Sequence, residues 1–242
     1  MKTSMALLFC AAALSAGSSP LDRLFDNKLS PTQRAGACFE LRGAKDAETI
    51  AAMSRALDDA DLLSCAAENL RVAGAAGPLK EALASTTEQV RATAARQLGT
   101  FRNPDFLEPL SRAAEDENML VATNALAGLS EYAGPEVVPY LATLARKGGM
   151  VGDMALDRLA ALDSVGALKV ARNLLDSAQV PDKLYAMRII GLHGDAADLP
   201  ALRKIAASGQ ENLAQHSRGF GLMPPISLTR AAETAIRGIQ AR

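Results

Sequence analysis

Tryptophan is absent from this chain, aromatic residues make up only 4% of it, and its 242 residues include two histidines and three cysteines. Each scarcity removes a class of chemistry. With only His193 and His216, neither followed by Glu, no HExxH or His-Glu helix motif can be written. Cys10, Cys38 and Cys65 form no CxxC or CxxCH pair, so zinc and haem attachment lack a ligand set. No glycine-rich phosphate loop follows a strand pattern. Charge of either sign is also not in excess: 26 basic residues face 27 acidic ones, without the positive surplus that phosphate binding uses, so nucleic acid is not an expected partner. The longest apolar run, Met5 to Leu14, is about ten residues, against the roughly 20 that a bilayer span requires. No integral membrane segment is expected in the mature chain. Neither a catalytic group nor a cofactor is expected. The acidic Glu115, Asp116, Glu117, Asp153 and Asp157, and the basic Arg71, Lys80, Arg91, Arg96 and Arg112, read as solvated faces and loops, and His193 as a packing or capping residue at a turn.

What the chain does have is periodicity. Ala37, Ala66, Ala94, Ala125, Ala155 and Ala186 follow one another at intervals of 29, 28, 31, 30 and 31 residues. A period near thirty marks an array in which each unit is one supersecondary motif and neighbours share a core. Companion columns keep constant offsets. Four residues after each Ala stand Leu41, Leu70, Leu98, Leu129, Leu159 and Ile190. Thirteen after it come Ile50, Leu79, Leu107, Val138, Leu168 and Leu199, and three further on Met53, Ala82, Leu110, Leu141, Ala171 and Leu202. Spacings of i, i+4 and i, i+3 put each pair on one helical face, so every unit reads as two amphipathic helices.

Punctuation supports those boundaries. Nine residues after the Ala lie Asp46, Ala75, Asn103, Gly134, Ser164 and Asp195, five of the six being N-cap types for the second helix. Pro104 and Pro135 then suit a first turn. Ser30, Pro31 and Gln33 make a capping box with proline at N1, and Thr86 with Gln89 predicts a second box. The small Ala lets helix axes approach toward the lower end of roughly 8 to 10 Å.

The stretch Val90 to Ala114, VRATAARQLGTFRNPDFLEPLSRAA, resembles the short bacterial HEAT-like repeat, also seen in the phycobilisome-lyase group; Tyr185 to Ile205 is similar, with Gly191 standing where Gly99 does. The likeness covers about residues 30 to 207, and more weakly Ile226 to Gln240, where Ala232 and Ile236 match Ala186 and Ile190. Tetratricopeptide repeats have a longer period and a Trp position missing here. The resemblance implies an all-α fold, a right-handed α/α superhelix of about six helical hairpins with a C-terminal half-repeat. The units fall at about 30–59, 61–84, 87–115, 117–147, 149–177 and 181–207, with residues 17–29 as linker or N-terminal cap, in one elongated repeat domain of residues 30–240. Some HEAT-like proteins are di-iron hydroxylases built on repeated His-Glu pairs, which this chain does not have.

Lys2, the apolar run and then Ser15, Ala16, Gly17, Ser18 and Ser19 follow the order of a secretory signal peptide, residues 1–16, with cleavage near Ala16 and export to the periplasm or exterior. Leu8 and Phe9 before Cys10 depart from a lipobox. In the hand that the resemblance implies, Cys38, just after its repeat Ala, and Cys65, just before its own, turn toward each other. First helices about 10 Å apart then give a Cα separation of roughly 6 Å, inside the disulfide window. Two readings stay open, a disulfide in an oxidising compartment or a pair of small buried hydrophobes.

The last interval, Ala186 to Ala232, is 46 residues, and its excess falls in a Gly- and Pro-punctuated insertion loop, residues 208–225, ahead of a capping helix at 226–240. His216, Arg218, Phe220 and Met223 make this loop a candidate partner-binding element, or a cap over the end of the array. The reading is an exported, non-catalytic adaptor that presents its second helices to a protein or peptide. An accessory subunit or small-ligand carrier, with a pocket beside the loop, is the alternative.

Overall fold

The computed structural model describes residues 18–208 and 227–242, and these are helices joined by turns. They pack as two compact units, the first ending at Ala73 and the second beginning at Gly74, within the second sequence repeat. The signal segment and nearly all of the insertion loop lie outside the described residues.

The first unit contains α1 (Pro20–Leu24), α2 (Pro31–Glu40), α3 (Ala47–Ala56) and α4 (Leu63–Ala73). Ser30 and Gln33 form the expected capping box on α2, with Pro31 at its first turn, and Asp46 caps α3 through the Thr49 N–H at 2.8 Å. A box not anticipated, Ser19 with Asp22, starts α1. That short helix packs on α2 and buries Leu24 completely.

The second unit runs through α5 (Ala76–Ala82), α6 (Glu88–Gly99), α7 (Leu107–Ala113), α8 (Met119–Leu129), α9 (Val138–Lys147), α10 (Gly149–Leu162), α11 (Ser164–Leu174), α12 (Val180–His193), α13 (Leu199–Ala207) and α14 (Leu228–Gln240). The second helices α7, α9 and α13 are each entered through a short 3-10 turn, Pro104–Phe106, Pro135–Val137 and Ala196–Asp198. Asn103 and Asp195 cap two of these turns through their side chains. First helices contact first helices in sequence, α6 with α8, α8 with α10, α10 with α12 and α12 with α14, which is the stacking that the alanine column requires. Ala37, Ala66, Ala125, Ala155, Ala186 and Ala232 are all 0% exposed.

Two caps differ from the sequence expectation. Thr87, not Thr86, precedes α6 and makes no side-chain cap bond; the Ser85 hydroxyl takes the Thr87 N–H at 3.2 Å, delaying the helix by one residue. Asp163, not Ser164, caps α11 by accepting the Gly166 N–H at 2.9 Å, because a carboxylate one residue earlier outcompetes a hydroxyl.

Some stacked helices approach more closely than alanine allows. A methyl added to Gly99 would fall on the backbone of Gly128, and one on Gly128 would lie 2.8 Å from the Ala95 carbonyl. The α12 and α14 pair repeats this: a Cβ on Gly191 would sit 2.9 Å from Ala235 Cα, and one on Gly238 2.6 Å from the Gly191 carbonyl. Absent side chains are what let these backbones touch.

Candidate functional site

In the first unit the cysteines organise the core. Cys38 on α2 and Cys65 on α4 stand at disulfide-bonding distance, with Cα atoms 6.3 Å apart and Cys38 fully buried. One turn beyond Cys65 lies Asn69, only 4% exposed, whose amide donates to the Cys38 carbonyl at 2.8 Å and lies 3.3 Å from Met53 Sδ. A buried amide without a partner costs about 1 to 3 kcal/mol, so this bond fixes the register of α4 against α2. Ion pairs join the same elements: Arg34 with Asp59 and Asp61, and Glu68 with Arg42 and Arg71. The Arg34 guanidinium holds the Asp59 carboxyl below its ordinary range. Beside it opens a polar cavity of about 450 Å³, lined by Phe25, Asn27, Arg34, Arg55, Asp58 and Asp59, with the Arg55 guanidinium 3.8 Å above the Phe25 ring.

The second unit carries polar links from one repeat to the next. Arg91, at the repeat position of Arg34, grips Asp116 through two bonds of 2.8 and 3.0 Å and also donates to the Ser85 carbonyl. Arg91 and Asp116 therefore depart from the solvated surface expected of them; the partner is 25 residues away and meets the arginine only when units stack. Arg172 grips Asp198 in the same bidentate manner. Tyr132 is 1% exposed, its hydroxyl donates to the Asn103 carbonyl at 2.8 Å, and burial pushes the phenol up to about 12.

Asp153 is a larger departure. Expected on a solvated face, it is 2% exposed, and its Oδ1 has no hydrogen-bond partner among the described residues. Asp182, on the facing helix α12, is 4% exposed but satisfied, accepting the Gly149 N–H at 2.9 Å and the Ser177 hydroxyl at 2.6 Å. A repeat alignment carries the signal for Asp182, and only weakly for Asp153, whose column also holds the exposed Ser64 and half-buried Thr123. Asp182 falls in the column of Val90, Val121 and Val151, and Asp153 in that of Ala92.

On the outside of α8 and α10 the pattern reverses, and apolar side chains face water. Met119, Leu120, Met150 and Met154 are 48, 45, 52 and 42% exposed, with Leu120 and Met150 both five residues before their repeat alanine. These are first helices, whereas the sequence reading placed the presenting surface on second helices. Of the other anticipated residues, His193 ends α12 and is exposed, so it does not pack. His216, Arg218, Phe220 and Met223, and with them a pocket beside their loop, lie outside the described residues. Among the described residues no helix is long and apolar enough to cross a membrane, and no three His, Cys, Asp or Glu side chains cluster to hold a metal.

Residues 76–151 match the family model of HEAT repeats. That span thus carries HEAT repeats, and the chain is HEAT-like in its described part, which is all-helical on either side of it. Among solved structures it is similar to human deoxyhypusine hydroxylase in complex with glycerol, at 19% identity over 92% of this chain and 95% of that one, with a TM-score of 0.38. An engineered protein matches at 18% identity over 91% of this chain and 68% of its own, with a TM-score of 0.46. A designed armadillo repeat protein matches at 17% identity over 92% and 100%, with a TM-score of 0.32. No curated protein matches.

Proposed function

We propose that this chain is an exported, non-catalytic adaptor that binds an apolar stretch of a protein or peptide along the first helices α8 and α10. The observation that carries the reading is the set of Met119, Leu120, Met150 and Met154, four large apolar side chains about half exposed on successive first helices, α8 and α10. Neighbouring exposed apolar residues mark contact surfaces, and methionine adapts its shape to a partner at little cost. Stacked repeats supply the rigid, extended support that such a surface uses. Export rests on the Lys2, Met5 to Leu14 and Ser15 to Ser19 pattern of the first residues. The Cys38 and Cys65 pair, held oxidised outside the cytosol, fits the same compartment.

The test is an affinity capture from the native envelope fraction with the wild-type chain beside a Leu120→Asp, Met150→Asp double variant. A polypeptide retained by the first and lost by the second, with both equally helical, is the expected result. Equal retention by both, or recovery of the chain solely from the cytosol, overturns the reading.

A further inference from the structure

Asp153 and Asp182 have no part in the adaptor reading, yet both are buried carboxyls, on helices that pack together. The Asp182 column holds Val90 and Val121, 4 and 0% exposed, whereas the Asp153 column holds the buried Ala92 beside an exposed Ser64 and half-buried Thr123 and Leu184. Asp182 therefore replaces a core side chain on the helix that packs against α10, while Asp153 of α10 is buried in a column that elsewhere is mostly not. Asp182 ties three segments together. It accepts the Gly149 N–H at the start of α10 and the Ser177 hydroxyl before α12, and a Cβ on Gly148 would lie 2.9 Å from its Cγ. Gly148 and Gly149 both have positive φ, 68° and 69°, a conformation that lets the α9–α10 turn wrap this carboxylate. Asp153 follows Gly149 by four residues, which places it on the same face of α10, one turn further along.

We infer that Asp153 makes an acid-responsive joint between the first helices of units five and six, closed while its buried carboxyl carries a proton and loosened when it ionises. Two donors already serve the oxygens of Asp182. Asp153 keeps the proton, because a buried Oδ1 without a donor has nothing to stabilise an anion. Burial first, and the neighbouring Asp182 charge second, push the Asp153 carboxyl up to about 6, with Arg188 pulling the other way.

Of the remaining charged groups around the joint, Lys183, next to Asp182 on α12, is half-buried, and the following have partners or lie exposed. Arg188 of α12 pairs with Asp157 of α10. On α9, Lys147 pairs with Glu115 and Arg146 donates to Thr143. On α11, Arg172 is held by Asp198 and Asp195 while Lys169 is exposed, and α8 carries no charge. Arg158 of α10 donates to the Tyr132 carbonyl.

The sign follows from the raised value. A carboxyl whose folded pKa lies above its unfolded one contributes stability that is full below about 4 and lost as pH rises through about 6. Hydrogen exchange of the full chain, corrected for intrinsic rate, is therefore expected to show roughly tenfold less protection of the α10 amides at pH 7.5 than at pH 5. Asp153→Asn, which keeps the shape and removes the charge, is expected to hold the acid-state protection across that range. An unchanged pH slope in Asp153→Asn overturns the inference. Should that variant not fold, carboxyl-carbon NMR of the wild type decides: a midpoint for Asp153 near 6 supports the joint, and one near the ordinary 4 refutes it.

Discussion

Residues 18–73 close around two cysteines, a buried amide and a set of arginine–carboxylate pairs, whereas the second unit closes helix on helix at Gly99, Gly128, Gly191 and Gly238. The difference follows from size. A segment of a few dozen residues buries a smaller fraction of its surface on folding and leans on covalent or polar ties, while a long stack gains apolar burial with every added repeat. In the first unit the ties are directional and cannot be shifted in register. In the second, contacts of shape, intolerant of volume, stand beside polar links such as Arg91 with Asp116.

Removing the sulfurs is the strongest way to test this contrast. Cys38→Ser with Cys65→Ser is expected to cost the first unit about 3 to 4 kcal/mol, the chain-entropy value for a loop of this length, and to leave the second unaltered. Urea titration followed by residue-resolved exchange checks both halves of that statement; equal loss in both units would mean that the contrast is false. A smaller and opposite lesion is Gly99→Ala. Although alanine favours helix, here its methyl meets the Gly128 backbone, and a net loss of about 1 to 3 kcal/mol, confined to the second unit, is expected in the same titration.

The smallest effect sharpens the comparison. The Arg91 guanidinium holds the Asp116 carboxyl below its ordinary range, chiefly through their hydrogen bonds. A lowered carboxyl contributes stability that is present above the unfolded pKa, near 4, and lost as pH falls through the folded one. Asp116→Asn is thus expected to lower the urea midpoint at pH 7 by an amount equivalent to about 1 kcal/mol and to differ less from wild type at pH 3. A variant as stable as wild type at pH 7 would show that the polar links of the second unit add nothing to its shape contacts.

Apolar columns were legible in the sequence because burial repeats with the unit: Ala94 is 1% exposed, and Leu98, Leu110, Leu129 and Leu141 are 0%. Caps were nearly as legible, since a cap bonds within its own turn, and the two misplaced ones, Thr86 and Ser164, miss by a single residue where a neighbouring side chain competes. Links between repeats were not. Arg91 with Asp116, and Tyr132 with Asn103, are separated by 25 and 29 residues, so each looks like an isolated polar residue until units stack. Asp153 shows the other limit. A carboxylate reads as surface by type, and its column, which holds the exposed Ser64 and half-buried Thr123 as well as the buried Ala92, does not say otherwise. The exposed methionines of α8 and α10 escaped for a related reason, because apolar residues on amphipathic helices are read as core.

The touching glycines also bear on how the array could change over evolutionary time. Identical modules can be duplicated, deleted or reordered, because each presents the same two faces. Here α6 fits α8 only where Gly99 meets Gly128, and α12 fits α14 only where Gly191 meets Gly238. At the position of Gly99 and Gly191, unit four carries Ser130 and unit five Ala160. Exchanging units would bring a side chain against backbone. The chain is an ordered series of matched neighbours, and lengthening it by copying one unit would require a second change in the unit beside it.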